Sequence, residues 1–532
     1  MFTRTVHHFS GGSYCRLSVG RGLIPQQLSA ERTEVVEELQ LVARARWHGS
    51  SVAIRSGTDE WSYDKLLERS AHLAVALLAD VDDLSESRIT YLVPPGFDYV
   101  SVQWAIWRAG GVAVPLSLSA TESELEYTLT DSQPSCVLIT AAFAEKISGL
   151  CERLGLRQLI VDEVAVPRDD SPLLPVIKND RRAMILYTSG TTSKPKGVVT
   201  THANIESQIE SLIDAWQWGS TDRIPLFLPL HHIHGIINIL TCGLWAGATV
   251  ETFARFEMAS VLERVSAREY SVFMAVPTIY VRLIQALDLL PESECDPIVR
   301  GFSEMRLMIS GSAALPASVH DKWFKLTGQK LLERYGMTEI GMGLSNPYEG
   351  ERRPGAVGQP LPGVEIRLKS EAGDIVEGED EAGEIQVRGP GVFLEYWNRP
   401  KITAESFDDD WFRTGDVAVR ESSYYRIMGR QSVDIIKSGG YKLSALEIEA
   451  ACLSHPSICE AAVVGIPDDT WGQVVGLAAV LGDGEELSLV SLRDWCQDRI
   501  SNYRIPSRLV VVEKLPRNAM GKVTKPAVCD LF

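Results

Sequence analysis

Ten consecutive residues, Thr188, Ser189, Gly190, Thr191, Thr192, Ser193, Lys194, Pro195, Lys196 and Gly197, are dense in hydroxyls, glycine and lysine and directly follow an apolar run over 183–187. Such a segment can wrap a triphosphate. Backbone N–H groups and hydroxyls donate to phosphate oxygens, glycines allow close backbone approach, and Lys196 supplies a point charge. The order is not GxxxxGK[ST], so this is no Walker loop. A Ser/Thr-rich linker is the alternative, but a linker need not follow a strand nor carry Pro-Lys-Gly in order.

The rest of the chain limits what such a loop can serve. With 532 residues, 45% of them hydrophobic, two or more domains with sizeable cores are expected. A formal net charge of -18 argues against a general nucleic-acid binder, which needs a basic face, so an anionic ligand must be captured locally. Nine Cys are scattered without a CxxC pair or zinc-ligand spacing, which fits free thiols in a reducing compartment. No apolar run reaches the roughly 18 residues a bilayer requires, and no transmembrane segment is expected. Residues 235–250, broken by Asn238, Gly243 and Gly247, read as a buried helix. Residues 1–30 carry Arg4, Arg16 and Arg21 with no acid before Glu31, the composition of a targeting segment for the mitochondrial matrix; a frayed N-terminus of a cytoplasmic protein is the other reading.

Elements to hold the loop are legible on both sides of it. Over 183–335 a short apolar run repeatedly gives way to small residues and then to a helical period, with Asn204 as a plausible N-cap and Ile205, Ile209, Leu212, Ile213 and Trp216 on one face. Runs at 272–276 and 306–309 lead into helices near Pro277 and Pro316. Parallel sheet with crossover helices accounts for this, and it places ligands beyond the carboxyl ends of strands. After Leu361 short strands at 364–368, 384–388 and 424–428 suggest a small β unit. Beyond Arg430 an α+β pattern follows, with a helix at 445–453, strands at 461–464 and 474–480, a helix at 489–499 and a strand at 508–512. The expected fold is α/β: a large domain of doubly wound sheets over 31–430 and a mobile α+β domain over 431–532, behind a possible targeting segment, 1–30.

Six ordered strings then carry a family resemblance. Besides the 188–197 segment they are Leu228-Pro229-Leu230-His231-His232-Ile233-His234-Gly235, Tyr335-Gly336-Met337-Thr338-Glu339, Phe412-Arg413-Thr414-Gly415-Asp416, Gly429-Arg430, and Pro516-Arg517-Asn518-Ala519-Met520-Gly521-Lys522. From about Glu34 to Lys525 the chain resembles the adenylate-forming acyl-CoA synthetases. The resemblance implies activation of a carboxylic acid by ATP and Mg2+ as an acyl-AMP, then transfer to coenzyme A. It assigns Gly311, Ser312 and Ala313 with Tyr335 to adenine, Asp416 and Arg430 to ribose, Thr338 to the α-phosphate, and Glu339 to magnesium. Gly336 and Met337 belong to the same nucleotide-binding string. Lys522 bridges the attacking carboxylate and the α-phosphate, and rotation of the smaller domain about a pivot within Ser432 to Asp434 later brings Gly439 and Gly440 toward the thiol.

Within that family the strings at 273–280, 310–316, 331–342 and 432–437 read most like malonyl-CoA synthetases of the mitochondrial type. A short dicarboxylate needs a cation for its spare carboxylate. Arg282 is the first candidate, as a guanidinium one turn into its helix. His232 is the second, with Ser310 on the pocket floor. A surface ion pair for Arg282, and packing roles for His231 and His234, are the alternatives. A medium-chain or aryl acyl-CoA synthetase would instead show an apolar pocket, and a carrier-loading adenylation enzyme would need a carrier protein, none of which is fused here.

Overall fold

The computed structural model describes residues 38–165, 173–188, 194–517 and 523–532. The stretch 1–30, the residues Ser189, Gly190, Thr191, Thr192 and Ser193, and Lys522 lie outside them.

Two sheets flank the larger part of the chain. A seven-stranded sheet runs, in spatial order, Glu395–Tyr396, Lys196–Thr201, Arg182–Thr188, Val112–Pro115, Arg88–Leu92, Cys136–Ile139 and Arg157–Ile160. Its four last-named strands are parallel; Arg88–Leu92, Val112–Pro115 and Cys136–Ile139 are almost wholly buried, as covered parallel strands are, while Arg157–Ile160 lies at the edge and is partly exposed. A second sheet aligns Val272–Ala275, Leu307–Ser310 and Leu332–Met337 in parallel, then turns antiparallel through Gly341–Ser345. Helix Pro277–Asp288 begins on its proline, where the absent N–H costs nothing, and Ala317–Thr327 follows Pro316. One apolar cluster, including Trp104, Trp216, Phe273 and Trp323, lies between these layers.

A smaller antiparallel sheet follows, built on Glu365–Lys369, Gly383–Arg388, Trp411–Glu421 and Tyr424–Arg430. Its core of Ile385, Phe393 and Phe412 takes in Val198 and Ile340, so it is packed onto the two segments that carry Lys196 and Glu339. A turn over 431–434 leads to a last sheet, in which Gly472–Leu481 lies between Ile458–Asp468 and the parallel strand Arg508–Val511. Helices Ala445–Leu453 and Leu489–Gln497 cover a separate core of Ile448, Val463, Leu477 and Leu492.

Three expectations need correction. The 188–197 segment does not feed a helix directly: Lys196–Thr201 pairs antiparallel with Arg182–Thr188, so the segment caps a β-hairpin. The β-branched run Val198-Val199-Thr200-Thr201 favours a strand. Thr201, not Asn204, is the N-cap of His202–Trp216; Asn204 stands at the third helical position and closes a capping box. Residues 235–250 are not one helix either: a π-helical stretch, His234–Thr241, passes into Cys242–Ala246 and then strand Thr249–Thr252.

Strand Leu332–Met337 also buries a carboxyl. Glu333 accepts the Gly355 N–H at 2.8 Å, and burial pushes its pKa from 4.5 up to about 8. Because the folded value is raised, its contribution to stability is complete below pH 4.5 and lost as pH rises through 8. Thermal unfolding of wild type and Glu333→Gln, which keeps an acceptor without the charge, therefore diverges from pH 5 to pH 8.5, with the variant gaining. A constant gap across that range contradicts this.

Candidate functional site

Thr188 and Lys196 are register partners at the mouth of the hairpin, and the Thr188 hydroxyl donates to the Lys196 carbonyl at 3.4 Å. From there the Lys196 ammonium lies 4.1 Å from the centre of the Tyr396 ring. The Tyr396 hydroxyl in turn donates to Glu339 Oε1 at 2.7 Å. Glu339 is buried, and desolvation raises its pKa against the opposing pull of Tyr396, Lys196 and Arg430. A cation for phosphate and a buried carboxylate thus meet around one phenol. Lys194 and Pro195 are braced by Tyr127, whose ring lies 5.4 Å from the Lys194 ammonium and whose hydroxyl donates to the Pro195 carbonyl at 2.6 Å. Gly197 is locked in place: a Cβ there would stand 2.7 Å from Ile185.

Among the described residues no group of three or more His, Cys, Asp or Glu could hold a metal ion. A single buried carboxylate suits an ion that takes the rest of its shell from phosphate and water, which is magnesium's habit. Glu339 therefore fits that ion, which when bound neutralises charge on the triphosphate.

Asp416 and Arg430 face each other across paired strands, 3.9 Å apart. Tyr335 donates its hydroxyl to Asp416 Oδ2 at 2.6 Å, so the ring assigned to adenine and the acid assigned to ribose form one unit. Thr338 and Glu339 occupy the turn between Leu332–Met337 and Gly341–Ser345, closed by the Ile340 N–H to Met337. At Gly336 a Cβ would come within 2.2 Å of the Gly341 carbonyl, which excludes any larger residue.

Gly311, Ser312 and Ala313 leave the end of strand Leu307–Ser310. Ser312 adopts φ +69°, and its hydroxyl lies 3.0 Å from His234 Nδ1 and 3.5 Å from the Arg334 guanidinium. Arg334 packs against the bare face of Gly311, where a Cβ would meet it at 2.6 Å. It is 4% exposed, and burial lowers its pKa to about 10. Its Nε, His234 Nε2 and the Ser310 hydroxyl are buried without a hydrogen-bond partner among the described residues. His232 is half-buried, its ring 4.1 Å from that of His231, and burial lowers His231 to about 4. Arg282 is exposed, 5.4 Å over the Phe256 ring, which stacks edge-on to Phe227 just before the His231 segment.

In the smaller lobe Gly439 and Gly440 form a two-residue hairpin turn with φ +56° and +84°, the conformation for which glycine is suited. The Gly439 N–H donates to Trp471, and a Cβ at Gly439 would strike the indole. Lys437 and Lys442, on either side, share Glu371, in the turn after strand Glu365–Lys369, at 3.3 and 3.1 Å.

The AMP-binding enzyme family matches residues 41–397, and its C-terminal domain family matches 447–522. The chain belongs to the AMP-binding enzymes. This AMP-binding enzyme is 43% identical to the mouse mitochondrial malonate–CoA ligase ACSF3 over 91% of its own length and 88% of the mouse protein's. It is 37% identical to a malonate–CoA ligase of Arabidopsis thaliana, covering 89% of this chain and 85% of that one. ATP-bound MatB from Rhodopseudomonas palustris superposes with a TM-score of 0.85 at 31% identity, over 93% of this chain and 98% of the other.

The family resemblance and the α/β fold of a large and a smaller domain are thus borne out. As an AMP-binding enzyme the chain gathers Thr188, Lys196, Glu339, Asp416, Arg430 and Tyr335 around one face. Tyr396 and Arg334 belong to the same surroundings and were not among the expected site residues. Tyr396 stands in a two-residue strand far along the chain, a position no local pattern marks. Arg334 has a visible signal, a charge in the strand Leu332–Met337 immediately before the tyrosine.

Proposed function

We propose that this AMP-binding enzyme is an ATP-dependent acid–CoA ligase whose preferred acid is malonate, with methylmalonate as an alternative. A carboxylate oxygen of the acid attacks the α-phosphorus, and the bond to the β-phosphate oxygen breaks to release pyrophosphate. The thiol of coenzyme A then attacks the acyl carbon, its proton is lost, and AMP leaves with the oxygen. No covalent enzyme intermediate is required. Thr188 to Gly197 hold the triphosphate, Glu339 serves magnesium, Asp416 and Arg430 take the ribose, and Lys522 meets the charge that develops at the α-phosphate.

The observation that carries the choice of acid is the burial of Arg334 with no carboxylate paired to it among the described residues. A buried guanidinium without a counter-ion is costly in the empty protein, and an acid bearing a second carboxylate offsets that cost. A medium-chain or aryl acid cannot. The malonate–CoA ligases among the relatives support the same reading. Arg282, being exposed, is the second cation available, and His232 with Ser310 lines the remaining wall.

The smaller domain, 431–532, rotates about the turn 431–434 between the two steps. A malonyl-CoA ligase in a product complex with methylmalonyl-CoA and AMP superposes with a TM-score of only 0.63 despite 35% identity, against 0.85 for the ATP-bound MatB; this supports two lobe arrangements. Relatives named as mitochondrial support placement in the mitochondrial matrix.

Pyrophosphate exchange and CoA-dependent AMP release with malonate, methylmalonate, octanoate and coumarate test the assignment. Malonate is expected to exceed octanoate and coumarate by about 10²-fold in kcat/KM, the scale set by leaving a buried charge unpaired, and without any carrier protein. A preference for octanoate or coumarate overturns the acid assignment; turnover only with a carrier protein overturns the ligase.

A further inference from the structure

The segment that carries Lys522 is anchored at both ends by described residues. Arg517 and Val523 form an isolated β-bridge, and the Thr524 N–H donates to Pro516 at 2.9 Å. Two residues beyond that bridge, Lys525 opens the short helix Lys525–Cys529 and turns its ammonium inward, with 13% of the side chain exposed. There it contacts Glu449, donates to the Val463 carbonyl at 2.7 Å, and lies 3.5 Å from Asp434 Oδ1. Glu449 is fixed independently, because it accepts the Val463 N–H at 2.7 Å.

Asp434 is the last residue of the turn between the lobes. Its Oδ2 accepts the Arg430 N–H at 2.9 Å, and Arg430 is the residue that faces Asp416. Its Cβ also occupies the space a side chain on Gly429 would need, at 2.4 Å. Asp434 therefore touches the nucleotide-side strand with one oxygen and Lys525 with the other. An ion triad of Lys525, Glu449 and Asp434, whose last member also holds Arg430 across the boundary of the lobes, is enclosed enough to be little screened by salt and makes a stiff connection.

We infer that Lys525 is a positioning residue that ties the base of the Lys522 segment to the turn 431–434, so that the angle of the turn fixes where Lys522 stands. The inference rests on the adenylation reading of Lys522. Its consequence is asymmetric. Adenylation, which needs Lys522 at the α-phosphate, depends on the connection, whereas thiol attack on a finished acyl-AMP does not.

The test measures two half-reactions separately on the full-length protein: malonate-dependent ATP–pyrophosphate exchange, and thioester formation from synthetic malonyl-AMP and coenzyme A. For Lys525→Met exchange is expected to fall about 30-fold through kcat, with KM for ATP within about 2-fold, while thioester formation changes less than about 3-fold. Lys525→Arg restores exchange to within about 5-fold of wild type. Removing one cation leaves two buried carboxylates, so Lys525→Met is also combined with Glu449→Gln, which keeps the fold and must keep the split between half-reactions. Equal loss of both half-reactions in the double variant, or unchanged exchange in either variant, overturns the role of Lys525. Absence of exchange in the wild type overturns the adenylation reading itself, a distinct outcome.

Discussion

Lys522→Ala is expected to lower malonate-dependent pyrophosphate exchange by about 10³-fold while leaving thioester formation from supplied malonyl-AMP within about 5-fold of wild type. As pyrophosphate departs, negative charge accumulates on the α-phosphate and its approaching carboxylate, two anions that repel each other in the ground state. A single ammonium placed between them acts mainly in the transition state, and removing one such preorganised donor costs about 10²–10³ in kcat, or roughly 3–4 kcal/mol. The thiol step has no bond to phosphorus to break on that side, which is why it is spared. Rapid-quench assays of each half-reaction check this. A parallel loss in both would mean that Lys522 serves the fold of the smaller lobe and not the reacting phosphorus.

Arg334→Met is the second large effect. Methionine fills most of the guanidinium's volume and removes the charge, so two quantities should move in opposite directions. Malonate kcat/KM falls by about 10²-fold, since a buried charge pair is worth about 2–5 kcal/mol to whatever completes it. The melting temperature of the unliganded protein rises, since an unpaired buried cation has been replaced by an apolar side chain. Activity with octanoate is unchanged or improved. Arg282→Ala, at an exposed position over Phe256, is expected to cost less than about 5-fold, in line with rim charges. A lower melting temperature together with equal losses for all acids would make Arg334 a structural residue, and a larger effect at Arg282 would transfer the role to it.

How much of this was readable in advance follows from the range of the interactions. The helix Ala445–Leu453 was legible at both ends because its signals are local: a Ser444 side-chain cap and buried Ile448 and Cys452 one turn apart. The buried parallel strands Val272–Ala275 and Leu307–Ser310 were legible as apolar runs. The hairpin under the 188–197 segment was not, because the helical period from Asn204 onward is the local signal that stands out, while a strand's identity depends on a partner, Arg182–Thr188, that only the fold supplies. Asp416 and Glu339 could be nominated from the strings around them. Their supports could not: Tyr396 reaches Glu339, and Tyr335 reaches Asp416, across 57 and 81 positions respectively. The same holds for Arg334, whose significance lies in being buried without an acid among the described residues, a property of the packed state.

In the proposed reaction a carboxylate oxygen of the acid becomes bonded to the α-phosphorus of ATP. Malonate labelled with ¹⁸O in its carboxylates, turned over with ATP and coenzyme A and followed by mass spectrometry of the released AMP, tests it directly. Transfer of one ¹⁸O atom into each AMP, with pyrophosphate unlabelled, is the predicted result. Unlabelled AMP, or ¹⁸O recovered in inorganic phosphate alongside ADP, would contradict it.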